Sequence, residues 1–199
     1  KSIGTGFIFG AEILDKENIE VQFDHIENNE GDIFTQAWVP WYTMHKIFEG
    51  LLSVAAAKQA QLKEVAQLAL DVVTKLGEWT YHRVMSWSRE TRDIVIGIEY
   101  GGMNDCLYDL YQLTGDQKFA EAAHVFDEIQ LYEKVYYAKD EEQVLNDLHA
   151  NTTIPKFAGA LNRYISYLGD STVNVDLYLK YAERFWDLVV NHHTYITGG

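Results

Sequence analysis

The sequence predicts an all-α fold built from antiparallel helix hairpins, and three observations carry that reading. Apolar residues recur at helical spacing through most of the chain after residue 38. Only two prolines occur in 199 residues, so long helices are permitted almost everywhere. A phrase also repeats: Leu110-Tyr111-Gln112-Leu113-Thr114-Gly115-Asp116 matches Tyr164-Ile165-Ser166-Tyr167-Leu168-Gly169-Asp170, and Gly169 lies 54 residues after Gly115. A helix-pair period of this size marks a solenoid or a closed ring of hairpins. The chain has room for about three pairs, and a closed ring of six would need about twice the length.

The elements follow in order. Residues 1–37 are rich in glycine and acids, with Gly4 to Gly10 read as a loop or short extended piece and Glu27 to Asp32 as a turn. No helical period is visible there. Pro40 suits the first turn of a first helix, along which Trp41, Met44, Phe48, Leu51, Leu52 and Ala55 recur to about Ala57. A second helix is expected from about Leu62 to Met85, with Val65, Leu68, Ala69, Val72, Val73, Leu76 and Trp79 on one face. Trp87 to Gly102 holds turn residues and the apolar run Ile94-Val95-Ile96.

A third helix covers Met103 to Leu113, stopped by Gly115, and Asp116 can cap a fourth that continues to about Tyr132. After the acidic stretch around Asp140 to Glu142, a fifth helix is expected near Thr153, with Pro155 in its first turn, running to Leu168. Gly169 ends it, and Asp170 or Ser171 caps a sixth that reaches about His192. The organisation expected is an N-terminal glycine-rich segment over 1–37 and a helical domain over 38–199.

Thirty acidic against sixteen basic residues give a formal charge of −14. Such a surface repels phosphate backbones and anionic lipid, which argues against nucleic-acid and membrane partners. Neutral ligands such as sugars fit, because aromatic faces and polar groups bind them. Cys106 is the single cysteine, so no internal disulfide forms, and no Cys/His spacing resembles a zinc motif. A lone thiol favours a reducing compartment, and the expected location is cytoplasmic. No apolar stretch reaches membrane-spanning length, and no charged-then-apolar leader opens the chain. Lys1 and Thr197-Gly198-Gly199 read as cut ends.

Polar clusters interrupt the apolar pattern before or early in the first, third and fifth helices, where in a ring of hairpins they would face one mouth. The first is Trp38-Val39-Pro40-Trp41-Tyr42-Thr43-Met44-His45-Lys46, in which Tyr42, His45 and Glu49 form a polar stripe. His45 can exchange hydrogen bonds with a sugar hydroxyl or be a core histidine satisfied by backbone. The second is Glu99-Tyr100-Gly101-Gly102-Met103-Asn104-Asp105, whose glycines let backbone approach a ligand and whose Asn104 and Asp105 either bind it or cap the helix. It is not a phosphate loop, because the lysine and spacing are absent.

The third is His149-Ala150-Asn151-Thr152-Thr153-Ile154-Pro155-Lys156, where His149 could point into the mouth while Asn151 or Thr152 caps. The last is His192-His193-Thr194-Tyr195-Ile196-Thr197-Gly198-Gly199, whose adjacent histidines point apart and so argue against a shared metal. Glu99 with Asp105 is the carboxylate pair nearest the expected mouth, and Cys106 reads as packing.

Taken in order and spacing, these four phrases resemble the β-L-arabinofuranosidase family, glycoside hydrolase family 127 with its relative 146, and the Gly4-to-Gly10 stretch is similar to that family's glycine-rich opening loop. The resemblance covers nearly the whole chain. It implies about half of an (α/α)6 toroid, the N-terminal part of a catalytic domain that removes L-arabinofuranose from plant glycans. Family enzymes use a zinc-bound cysteine nucleophile and a glutamate acid/base, and none of these matches a residue of this chain; they are expected after Gly199, so no catalytic residue, metal ligand or cofactor is expected within it. The resemblance implies sugar contact at His45 and His149, with Tyr100 where many relatives have histidine and Asp105 where many have glutamate, and the residues expected to contact the sugar at the mouth are His45, Glu99, Tyr100, Asn104, Asp105, His149 and Asn151. The isolated chain is expected to be inactive. Half a ring would leave apolar helix faces open, so the fragment is expected to form a homo-oligomer, to be marginally stable, or to belong to a longer chain. The rival expectations are a helical-repeat interaction scaffold and a toroidal lyase or epimerase.

Overall fold

A computed structural model gives the structure of residues 4–10, 12–31, 39–57, 60–195 and 197. Among these the chain is all-α, with nine helices and no strand: α1 (Val21–Glu27), α2 (Pro40–Ala55), α3 (Lys63–Val84), α4 (Arg89–Ile96), α5 (Met103–Thr114), α6 (Gln117–Val125), α7 (Ile129–Tyr136), α8 (Ala150–Ser166) and α9 (Asp176–His192). Helices α2/α3, α5/α6 and α8/α9 pack as hairpins. Within them α2 packs on α5 and α5 on α8, making one row, while α3 packs on α6 behind it and α7 on α9. This two-layer arrangement is compatible with about half of an (α/α)6 toroid. No helix of the described residues is long and apolar enough to cross a membrane.

The sequence repeat has a structural counterpart. Gly115 closes α5 at φ 72°, and Gly169 follows α8 at φ 90°. Both sit in the left-handed region that lets a helix end without a Cβ penalty. One core, shared by α1 to α6, contains Phe7, Phe23, Trp41, Phe48, Trp79, Met103, Leu107 and Phe119, and a second under α7, α8 and α9 contains Tyr132, Phe157, Tyr181 and Phe185. Gly77 lets α3 lie close to its neighbours, since a Cβ there would come within 2.5 Å of Leu110 Cδ2.

Several expected boundaries are corrected. Helix α1 falls in the stretch read as lacking a helical period. Its seven residues are too few to be stable alone. Arg83 of α3 holds it, ion-paired with Glu20, Asp24 and Glu27, while Phe23 and Ile26 enter the core. Three acids on one helical face repel each other until that guanidinium is present. Helix α4 stands in the stretch that holds turn residues and the apolar run Ile94-Val95-Ile96, started by Ser88, whose hydroxyl accepts from the Thr91 N–H at 3.0 Å. On α3 the expected face is buried at Ala69, Val73, Leu76 and Trp79, but its first members Val65 and Leu68 are exposed, and Ala66, Gly77 and Thr80 join the inward side.

The expected fourth helix is broken into α6 and α7 at Phe126-Asp127-Glu128. Arg92 takes up carbonyls freed there, donating from Nε to Val125 O at 2.9 Å and from Nη2 to Asp127 O at 3.0 Å. Helix α8 starts at Ala150, earlier than expected, so Pro155 lies beyond its first turn. Neither Asn151 nor Thr152 caps it; the Thr152 hydroxyl instead donates to the carbonyl of His149, which stands at the cap position. Asp170 does not cap α9 either, because it accepts from both the N–H and hydroxyl of Thr172 in the preceding turn.

Open apolar surface lies along α8 and α9. Ile154, Leu161 and Ile165 of α8 and Trp186 and Val190 of α9 are exposed, and a groove of about 580 Å³ runs between the two helices past Leu161 and Trp186. Trp38, Asp32, Ile196, Gly198 and Gly199, which belong to the expected motifs and turn, lie outside the described residues.

Candidate functional site

Helix α2 is amphipathic in an unusual way: Trp41, Met44 and Phe48 enter the core while Tyr42, His45 and Glu49 face α5 and α8. His45 is 2% exposed, and its Nδ1 accepts the Gly102 N–H at 3.0 Å. A neutral ring so engaged carries its proton on Nε2. That edge faces Glu49 Oε1 at 3.4 Å, longer than a well-directed hydrogen bond. The histidine therefore ties the start of α5 to α2, through a backbone N–H.

The double glycine is explained by the same contact. Gly101 has φ 61°, and a Cβ on it would lie 2.6 Å from His45 Nδ1. A Cβ on Gly102 would lie 2.7 Å from Pro155 Cβ and 2.8 Å from His45 Nε2. The close approach these glycines permit is thus to α2 and α8. Across the same gap the Asn151 amide reaches the Tyr42 hydroxyl at 3.5 Å. The starts of α2, α5 and α8 consequently meet at one end of the row.

The sequence-predicted residues divide by depth. Glu99, at 41% side-chain exposure, and the exposed His149 and Asn151 stand on the rim. Tyr100 and Asn104 have no exposed surface. The Tyr100 hydroxyl donates to Glu128 Oε2 at 3.1 Å, and burial first, then neighbouring Tyr132 and Glu128, pushes its pKa well up. The Asn104 amide lies within hydrogen-bond distance of the Tyr132 hydroxyl (2.8 Å), the Lys156 carbonyl (3.1 Å) and Asp127 Oδ1 (3.2 Å). Gly159 of α8 leaves the room that this amide fills.

Asp105 is half-buried on the seam between α5 and α8, where Asn162 donates to its Oδ1 at 3.1 Å and to Asp109 Oδ1 at 2.6 Å. Burial, reinforced by Asp109 and Glu49 and opposed by the Asn162 hydrogen bond, pushes its carboxyl up to about 7. Cys106 is buried, its thiol donating to Met103 O at 3.4 Å, and burial with the charges of Glu49, Asp105 and Asp109 pushes its pKa well up. A thiol held protonated in this way is a packing group.

Sequence reading missed two residues that bind these clusters together. Lys156, quoted only as the end of a phrase, is 6% exposed, and Glu128 sits in the helix break. The Lys156 ammonium donates to Glu128 Oε2 at 3.1 Å, lies 3.9 Å from Glu99 Oε1, and stands 4.4 Å from the centre of the Tyr100 ring. The available signal was a lysine placed among the inward positions Thr152, Thr153, Phe157 and Ala160 of α8. The C-terminal histidines lie with another partner: His192 faces Glu141 Oε2 at 3.3 Å, and His193 Nε2 meets the Glu141 carbonyl at 2.9 Å.

The zinc implied by the family resemblance requires a cysteine-rich ligand set. Among the described residues no three His, Cys, Asp or Glu side chains are gathered to hold a metal, and Cys106 is buried in the core. These residues do not fit that site.

Carboxylates, imidazoles and amides are ranged over the starts of this helical row, and the chain is a glycoside hydrolase domain. Residues 4–199 match the family described as β-L-arabinofuranosidase, GH127 catalytic domain, and the chain belongs to that family. No curated protein matches the sequence.

Proposed function

We propose that the rim over α2, α5 and α8 binds an L-arabinofuranosyl unit of a plant glycan, and that attack and protonation come from residues outside this chain. The observation that supports this most is the meeting of the three inner-helix starts, through His45 with Gly102 and Tyr42 with Asn151. In this reading Tyr42, Glu99, His149 and Asn151 touch the sugar directly. His45, Tyr100 and Asn104 hold the elements that present them, and Asp105 donates or accepts according to its proton. A carboxyl that titrates near neutrality can do either.

The direct test is saturation-transfer NMR with methyl β-L-arabinofuranoside, paired with an assay on an aryl β-L-arabinofuranoside. The chain is expected to bind the sugar without turning over the aryl glycoside. Replacing His149 and Asn151 together with alanine is expected to weaken binding about tenfold while leaving the melting temperature in place, since both side chains are exposed. Turnover by the purified chain, or binding indifferent to the double replacement, would contradict the proposal.

A further inference from the structure

We infer that Lys156 is a positioning residue for the sugar site, acting through Glu99; the inference rests on the reading of the rim given above. Glu99 is the carboxylate of the rim that stands next to the double-glycine turn, so it moves with the start of α5. Among the described residues no hydrogen bond holds its carboxylate, and its Oε2 is turned inward without a partner, which leaves Oε1 as the oxygen available at the rim. The charged group within ion-pair distance is Lys156 Nζ, 3.9 Å from Oε1. A partly exposed carboxylate with so little support keeps a fixed direction only through that charge.

Lys156 itself is in no position to bind a ligand. Its ammonium is buried over the Tyr100 ring and committed to Glu128 at 3.1 Å, and its chain enters from α8 beside Pro155. One cation thus faces two carboxylates. Glu128 takes the short contact and also accepts the Tyr100 hydroxyl at 3.1 Å, so it is the anchored member. Glu99 takes the long contact and keeps unused acceptor capacity. Lys156 sets the Oε1 edge of this partly exposed carboxylate at the rim, where a donor from a neutral polyol completes it. The arrangement links the second and third polar phrases of the sequence through a residue that neither phrase marks as functional.

A double-mutant cycle on sugar affinity reads this coupling. Lys156→Met keeps the aliphatic stem and removes the charge; it is expected to weaken methyl β-L-arabinofuranoside binding about tenfold. Glu99→Gln is expected to weaken it by a similar factor, and Lys156→Met added to Glu99→Gln is expected to cost nothing more. Lys156→Arg is expected to retain most of the affinity. A loss from Lys156→Met that is the same in both backgrounds, or no loss in either, overturns the positioning role while leaving the rim reading intact. Absence of sugar binding by the unaltered chain overturns both. Should Lys156→Met fail to fold, Lys156→Gln, which can still hydrogen-bond Glu128, goes through the same cycle with the same deciding outcomes.

Discussion

Asp127→Ala is expected to destabilise the chain by about 3–5 kcal/mol, because it strands a charge inside the protein. Asp127 is 1% exposed and stands in the break between α6 and α7. Its Oδ2 accepts from the Tyr108 hydroxyl at 2.8 Å and from Arg163 Nη1 at 2.5 Å, and its Oδ1 accepts from the Asn104 amide at 3.2 Å. Three donors from α5 and α8 therefore converge on one carboxylate between hairpins. Removing it leaves the Arg163 guanidinium over the Tyr178 ring without its counter-charge and leaves the Tyr108 hydroxyl without an acceptor. In a chain of this size the melting temperature is expected to fall by roughly 10 °C. Adding Arg163→Met is expected to recover part of that loss, since the unpaired charge goes with it. Thermal denaturation of the single and double variants decides the matter; a double variant worse than the single one by the full cost of Arg163 would contradict the account.

Stability is expected to fall as pH rises from about 4 to about 7, in a component that Asp105→Asn removes. The folded chain raises the Asp105 carboxyl from an ordinary 3.8 to about 7. Between those values the folded state holds a proton that the unfolded state has released. The stabilisation is thus fully present below 3.8, declines through the window, and is gone above about 7. The linked difference amounts to roughly 4 kcal/mol at most. Asparagine keeps the acceptor that Asn162 requires and brings no charge to face Asp109 and Glu49. The variant is therefore expected to be more stable than its parent at pH 8 and about equal near pH 4. Urea unfolding at both pH values would show this, and parallel curves for the two proteins would contradict the assignment.

The parts of the fold that could be read from sequence are those decided locally. Pro40, the spacing from Trp41 to Ala55, and the left-handed glycines at 115 and 169 fix the ends of α2, α5 and α8 within a few residues. What escaped depends on partners far away in sequence. Helix α1 needs Arg83, 63 residues beyond Glu20, to quench three acids on one face. The break after α6 needs Arg92 and the Asp127 network, neither of which alters the amphipathic pattern of residues 117 to 136. At the start of α3 side-chain size did not tell which residues turn inward: Val65 and Leu68 are exposed while Ala66 is buried.

For the site, the motifs told which segments meet but not which side chains turn outward. His45 and the double glycine are mutually fitted parts of the helix contact, so their residue types are accounted for by packing. Tyr100 and Asn104 sit one layer below the rim, tied to Glu128 and Tyr132. Lys156 was overlooked because a lysine in a helix usually faces solvent, and only the carboxylates from the loop and the helix break reveal why it is buried.

A sugar site on this chain requires a single shared mouth at the beginnings of α2, α5 and α8. Chemical-shift mapping of the labelled chain during titration with methyl β-L-arabinofuranoside tests this most directly. Perturbed resonances gathered at Tyr42, Glu99, Gly101, His149 and Asn151 are the predicted result. Perturbations centred on the open stripe of Leu161 and Trp186, or scattered over separate helix ends, would contradict it.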